Sequence, residues 1–384
     1  MTYDVIVVGL GAMGSAAAWQ LARRGRHVLG LDALSPGHTL GSSHGHTRII
    51  RKAYFEDPAY VPLLERAYAM WDGLSTLAGE PLVRRTGGLM LGPESADVVN
   101  GAVRSAREHG LPYEMLTAAE VRRRFPAFTP EPGIVGVWEP QAGLLNPERC
   151  IAAQITAAER AGAALHHAEP VRSWRDQGGT VVVETPRGRY EAGALVMTAG
   201  PWMGPLLADL GLPLTPTRQP LCWLDAASPE EGALLTADRC PLWICALDGT
   251  NIYGIPNVDG RGVKLAIHEP GEACTPDTAR RDVAPAEIER IRRLVVRVLP
   301  GANGRLIEAA TCLYTMTPDG HFIIGRSPLH PHVVYASVCS GHGFKFAPVI
   351  GEIMADLTID GRTAHPIGFL APDRFARARR GVQA

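Results

Sequence analysis

Six residues near the start of the chain constrain its fold more than any others. Gly9-Leu10-Gly11-Ala12-Met13-Gly14 satisfies the pattern GxGxxG, and its surroundings complete a known unit. Residues 3–8 form a short Val- and Ile-containing run, as expected for a parallel strand buried on both faces. Residues 12–24 carry helix formers up to Gly25, which can cap them, and residues 27–31 return as a second apolar strand ending at Asp32. This is a β-α-β unit with a right-handed crossover. The first glycine permits the tight turn, the second lets a pyrophosphate approach the backbone, and the third allows close helix–strand packing. The helix N-terminus offers unpaired N–H groups and partial positive charge to phosphates. Asp32 can accept hydrogen bonds from ribose hydroxyls. The unit predicts a dinucleotide site without separating FAD from NAD.

The same stretch needs a second reading, because residues 5–22 carry no charge and reach the length of a membrane helix. Gly9, Gly11, Gly14, Ser15 and Gln20 interrupt it, and Asp4 rather than a basic residue precedes it. Neither a membrane span nor a signal peptide is expected. At 384 residues the chain has room for two domains. Its 38 Lys and Arg balance 39 Asp and Glu, so no general field draws it to nucleic acid or an anionic membrane. The seven cysteines show no CxxC pair and no zinc-type spacing, which predicts reduced thiols in a cytoplasmic protein. His38, His44 and His46 likewise lack ligand spacing, so no metal is expected.

Beyond the first unit, residues 60–78 have helical spacing, and residues 84–140 mix short apolar runs with Gly and Pro turns. Residues 147–162 predict a helix, followed by a strand near Ala164, a hairpin over 180–191 and a strand over 194–198. Strands are expected near Trp223, Trp243, Ile252 and Leu265, with a helix over 285–298. Residues 333–337 lead through a glycine-rich turn to a helix over 346–357. No internal repeat is visible. The alternation predicts an α/β protein in which a Rossmann-like nucleotide domain, assembled from residues 1–83, 147–213 and 314–384, is interleaved with a β-rich substrate domain of mixed sheet and helices from 84–146 and 214–313.

Three further features point to chemistry. Ser42-Ser43-His44-Gly45-His46-Thr47-Arg48-Ile49-Ile50-Arg51 places two arginines and two histidines in a Gly/Ser-rich loop. Arginine suits bidentate capture of a carboxylate and histidine can relay protons, although a solvated basic loop would read the same way. Ser340-Gly341-His342-Gly343-Phe344-Lys345-Phe346 sets a lysine near a helix start, where a cation opposes the helix dipole and needs another partner, such as a substrate anion. Lys264 lies within an apolar strand, pointing either to solvent by alternation or into a functional site. Cys312, two residues before Tyr314, reads by itself as a small buried hydrophobe.

Together these motifs resemble the monomeric sarcosine oxidase and N-methyltryptophan oxidase family of flavoproteins. The resemblance spans nearly the whole chain in order: GxGxxG, HGxTRxIR, Lys264, Pro300 to Gly304 (PGANG), Cys-x-Tyr at Cys312, HFII at His321, SGHGFKF and a terminal helix. It implies FAD, attached covalently through Cys312 to the flavin 8α-methyl group. Gly9, Gly11, Gly14, Asp32, Ser42, Arg48, Gly341, Gly343 and Lys345 would surround that cofactor. Arg51 and Lys345 would bind the carboxylate of a small amino-acid substrate, and Tyr314 would contact that substrate too. Lys264 would promote reaction with O2, and Arg48, His44, Tyr253 and His268 would complete the site. The resemblance further implies a cytoplasmic monomer that oxidises a secondary amino acid, N-methyl or cyclic, to an imine, with H2O2 as by-product. The convergence of cations predicts a positive site in a protein of net charge −1.

Departures from the family pattern fall at Ser43, His46, Val338-Cys339 and Gly325, and they bear on the substrate side chain rather than the redox chemistry. Two rival readings are an amino-acid dehydrogenase that passes electrons to another acceptor and a non-catalytic flavin-binding subunit. The second has no use for several cations converging on one face.

Overall fold

In the computed structural model, which describes residues 2–375, the strand Thr2–Val8 runs through the glycine turn into the helix Ala12–Ala22. A Cβ on Gly14 would fall 1.6 Å from the carbonyl oxygen of Gly9, so the helix can lie this close to the turn only with glycine there. Asp32 pins the turn as well as closing the unit. One of its carboxylate oxygens accepts from Leu10 N–H at 2.6 Å, the other from Leu34 N–H at 2.8 Å.

Thr2–Val8 pairs in parallel with Val28–Leu31 on one side and Gly188–Met197 on the other. Ala164–His166 and Val333–Ser337 extend the parallel sheet outward, within an eight-stranded whole. Both faces are covered, which explains the continuous apolar run. Val5 and Val7 pack toward the helices Ala12–Ala22, Pro147–Arg160 and Ala347–Ile359, whereas Tyr3, Ile6 and Val8 pack with Val183, Met203 and Leu207. The first and last of these helices cross closely, since a Cβ on Gly351 would sit 2.5 Å from the Ala16 backbone.

A nine-stranded sheet, mostly antiparallel, forms the second body. Its long edge pair is Thr215–Leu224 with Leu306–Met316, and Val263–Ile267, Thr250–Ile255 and Leu242–Leu247 follow in sequence across it. Helix Pro285–Val295 buries Ile288, Ile291 and Val295 among Leu224, Trp243 and Leu265. A small sheet of Arg48–Ile50, Gly143–Leu145 and Val83–Arg85 completes the set.

The architecture is the expected α/β one, with differences in detail. Residues 84–140 hold two helices, Asp97–Glu108 and Ala118–Arg124. The first buries Val98, Val99, Ala102, Ser105 and Ala106, a helical periodicity hidden by its short apolar side chains. The second starts with a reciprocal capping box between Thr117 and Glu120. The hairpin and strand expected over 180–198 are continuous: Gly188–Met197 leaves the hairpin and runs on into the parallel sheet. Strand Val263–Ile267 is buried at every position, because its sheet is covered on both faces, so alternation does not carry Lys264 to solvent. Among the described residues no helix is long and apolar enough to cross a membrane. Residues 1 and 376–384, at the ends of the expected nucleotide domain, lie outside the described residues.

Candidate active site

Two adjoining cavities run from the glycine turn to the interface between the large sheets. The first, about 490 Å³, is lined by Gly9, Gly11, Asp32, His38, Thr198 and Ser337 among others. The second, about 110 Å³, is lined by Arg48, Arg51, Lys264, Cys312 and Lys345. Ala12, Met13, Ser42, Ser43, Val338 and Cys339 line both, so the space is one trough. Gly11 leaves it open: the nearest atom to a Cβ there would be Ser43 Oγ at 3.7 Å, and no side chain caps the helix that follows. An elongated dinucleotide fits this shape, with phosphates at an open helix N-terminus and Asp32 at the ribose end.

The cations converge on the smaller cavity from separate elements. Arg48, from the small sheet, donates to the carbonyls of Thr47 and Ser42 at 2.9 Å each and lies 3.6 Å from Cys312 Sγ. Lys264 is only 2% exposed, and its Nζ donates to Gly45 O at 2.8 Å and Thr47 O at 2.9 Å. Burial first, and then Arg48, push its pKa well below the ordinary lysine range. The buried Lys345 donates to His342 O at 2.6 Å and approaches Tyr54 Oη at 3.4 Å. Its backbone carbonyl is tied to Trp71 Nε1–H at 2.8 Å, which fixes the segment against helix Val61–Ala78. Burial, followed by the neighbouring Arg51, lowers the Lys345 pKa to about 7.

Arg51 and Lys345 share the Tyr54 ring, at 4.3 and 5.1 Å from its centre. This places two cations side by side, as a carboxylate clamp requires. The cations are not alone in this cavity, because Glu56 lines it as well. Both Glu56 oxygens lie 2.7 Å from one Arg51 nitrogen, so the guanidinium already holds a carboxylate. Burial works to raise the Glu56 pKa, but Arg51, His342 and Lys345 outweigh it and hold the carboxyl at about 2. Arg51 Nε is buried and has no hydrogen-bond partner among the described residues.

Tyr253, His268 and Tyr314 line the same cavity. His268 lies against both tyrosine rings, at centroid distances of 6.5 and 5.9 Å. Burial raises both tyrosines, Tyr253 to about 12, and keeps His268 toward its neutral form. Gly341 is required at φ 81°, since a Cβ would meet the Tyr314 ring at 2.5 Å. Gly343 lines the cavity and packs on Val338, whose carbonyl oxygen would lie 2.2 Å from a Cβ. Of the expected residues, His44 and Gly14 lie on neither cavity wall, Gly14 because it packs against the Gly9 carbonyl and Thr198. His44 is the one of these two expected to take part in catalysis. It is buried behind the loop, with burial first and then Arg48 and Lys264 lowering its pKa to about 3. Glu56, Tyr54 and His342 belong to the site and were not assigned from the sequence. An acid five residues after Arg51 was the available signal for Glu56. His342 lay within the SGHG motif; here its Nδ1 meets Tyr54 Oη at 2.5 Å. Among the described residues, no group of three or more His, Cys, Asp or Glu could hold a metal ion.

The chain is similar to known proteins over nearly its whole length. The chain is 45% identical to a monomeric sarcosine oxidase of Streptomyces avermitilis, over 98% of this chain and 99% of that protein. It is 36% identical to an N-methyl-L-tryptophan oxidase of Salmonella newport, over 98% of this chain and 99% of that protein. Among solved structures, NikD, described as an unusual amino acid oxidase essential for nikkomycin biosynthesis, superposes with a TM-score of 0.85. It is 27% identical and 97% of each chain is covered. L-proline dehydrogenase from P. horikoshii, at 23% identity and 98% coverage of each chain, shares the fold with a TM-score of 0.84. The family described as FAD dependent oxidoreductase matches residues 4–357, and with its trough shaped for a dinucleotide and its full-length relatives the chain belongs to that family of flavin enzymes.

Proposed function

We propose that the protein is a flavin-dependent oxidase of a secondary amino acid, N-methyl or cyclic, that bears a free carboxylate. The observation that carries this reading is the pairing of Arg51 and Lys345 over the Tyr54 ring, in the cavity that also exposes Cys312 and Lys264. The names of the relatives, sarcosine oxidase and N-methyl-L-tryptophan oxidase, support it. When bound, FAD would supply the two-electron redox chemistry between the C–H beside the amine nitrogen and O2. Gly9, Gly11, Gly14 and Asp32 would hold its dinucleotide part, and Cys312 would hold the ring through a thioether to the 8α carbon.

In this reading Arg51 and Lys345 bind the substrate carboxylate, which fixes the amine and its neighbouring C–H in one orientation. For that, Arg51 exchanges Glu56 for the substrate. Tyr253, His268 and Tyr314 wall the amine side, and their shifted pKa values keep them uncharged at neutral pH, so they orient without competing for the carboxylate. Lys264 and Arg48 supply positive charge where oxygen takes up electrons. The imine leaves and hydrolyses in water. Residues 1–83, 147–213 and 314–384 serve as the nucleotide domain in this scheme. The strands of the eight-stranded sheet fall within those segments, which favours the division. The protein would act as a cytoplasmic monomer, and its seven free cysteines suit a reducing compartment.

The test is a panel of sarcosine, longer N-methyl amino acids and cyclic imino acids, scored in air for peroxide and without air for loss of flavin colour. Bleaching with stoichiometric peroxide is expected for at least one member. Bleaching without peroxide would convert the assignment to a dehydrogenase, and no bleaching by any amine would remove it. Acid precipitation should leave the flavin in the pellet of the parent and in the supernatant of Cys312→Ser.

A further inference from the structure

The Lys264 ammonium is held by a turn that the sheet does not itself supply. Its two acceptors, Gly45 O and Thr47 O, flank His46, and Thr47 N–H donates back to Gly45 O at 2.7 Å. That bond spans two residues, so the segment is a γ-turn, and His46 at its centre has φ 66°. A non-glycine residue held in this region is strained and persists only where its surroundings fix it. The fixing contact is Glu148, in the first turn of helix Pro147–Arg160. Its Oε1 accepts from Gly45 N–H at 2.8 Å and His46 N–H at 3.2 Å. The turn therefore presents its N–H groups to Glu148 and its carbonyls to Lys264. Helix-dipole stabilisation alone would favour a glutamate here, but does not account for two bonds to a distant loop. Glu148 Oε2 is also buried, without a hydrogen-bond partner among the described residues.

We propose that Glu148 is a positioning residue for Lys264: it clamps the strained turn whose carbonyls aim the ammonium and adds a negative charge behind it. The inference rests on the reading that Lys264 serves oxygen reduction. The groups facing Lys264 are few. Arg48 disfavours its charge, Glu148 and Glu308 favour it, Cys312 carries no charge once it holds the flavin, and the Trp223 ring covers it at 5.3 Å. Glu308 is drawn to the surface by His46 at 3.5 Å and Arg261 at 3.6 Å, so Glu148 is the inner carboxylate. The Gln variant keeps an acceptor for the turn and loses the charge, whereas the Ala variant loses both.

The test uses the holoenzyme with Glu148→Gln, Glu148→Ala and Lys264→Met. In Glu148→Ala, reoxidation of the reduced enzyme by O2 should slow about tenfold, the effect of losing charge-assisted hydrogen bonds. Hydrogen exchange of residues 42–50 should accelerate by a similar factor. In Glu148→Gln, exchange should stay near parental, while the alkaline fall-off of reoxidation moves about half a pH unit lower. Reduction by substrate should stay within about twofold in both, because the clamp residues Arg51 and Lys345 are untouched. Parental exchange in Glu148→Ala, or a parental pH profile in Glu148→Gln, overturns the proposal, and the Gln variant decides alone should the Ala variant fail to fold. A slow Lys264→Met beside parental Glu148 variants sinks only the positioning role. A parental Lys264→Met sinks the oxygen role of Lys264 beneath it.

Discussion

Carboxylate binding should weaken as pH rises through neutrality, with Lys345 setting the slope. Burial and then Arg51 bring its pKa down to about 7, against the opposing pull of Glu56. Glu56, His342 and Tyr253 do not change charge between pH 6 and 9. Glu56 is held at about 2, His342 is lowered to about 3 by burial, and Tyr253 is raised to about 12. Tyr54 and Tyr314 are raised and His268 is lowered, each chiefly by burial. The sign follows from linkage: a bound carboxylate favours the charged lysine, so affinity is full below the free-site pKa and declines above it. Each pH unit above about 7 should remove about 1.4 kcal/mol, or about tenfold in affinity, until the raised pKa of the occupied site is reached. Calorimetric titration with propionate, which has a carboxylate and no amine, isolates this step. Lys345→Met should bind more weakly at pH 6.5 and show no slope. A flat parental profile, or a slope that survives in Lys345→Met, would refute the argument and point instead to Lys264.

Three other outcomes follow from the same geometry. Glu56→Gln frees Arg51 of its internal carboxylate and should tighten propionate binding about fivefold at pH 6.5. It also removes a charge that favours protonated Lys345, so the alkaline decline should begin at lower pH; unchanged affinity would show that Glu56 does not compete. Gly14→Ala places a methyl group on the Gly9 carbonyl, a clash of backbone that should cost about 3 kcal/mol or more and abolish flavin retention, read by absorbance after gel filtration. Trp71→Phe removes the bond to the Lys345 carbonyl, with an expected loss of about 1 kcal/mol in denaturant unfolding and weaker propionate binding.

The motifs were legible to the extent that their reasons are local. Gly9 and Gly14 meet each other within one turn, and the pattern announces that contact. Helix Pro147–Arg160 was visible in its alanine-rich run, and its cap Asn146 accepts from Arg149 N–H at 2.9 Å. Helix Asp97–Glu108 was missed although its periodicity is present, because Val, Ala and Ser on the buried face do not stand out against neighbouring turns. The strand Gly188–Met197 read as two, because a Gly in mid-run at Gly193 mimics a break and the sheet bridges it.

By itself the sequence determined the nucleotide unit and the chemical identity of the cations, since both depend on residue type and short spacing. Only the tertiary structure decided what those cations touch. Lys264 faces a turn more than two hundred residues earlier in the chain, and that turn is braced by Glu148 from a third element. His44 shares its loop with Arg48 yet falls behind the cavity wall, because the path of the backbone, not the spacing, sets which side chain faces inward. Arg51 is expected from the sequence to bind a substrate carboxylate, and only the fold shows that Glu56 already pairs with it. Desolvation is the physical reason for the difference. A charge taken out of water must find a counter-charge or shift its pKa, and which of these happens depends on neighbours that only the folded chain assembles.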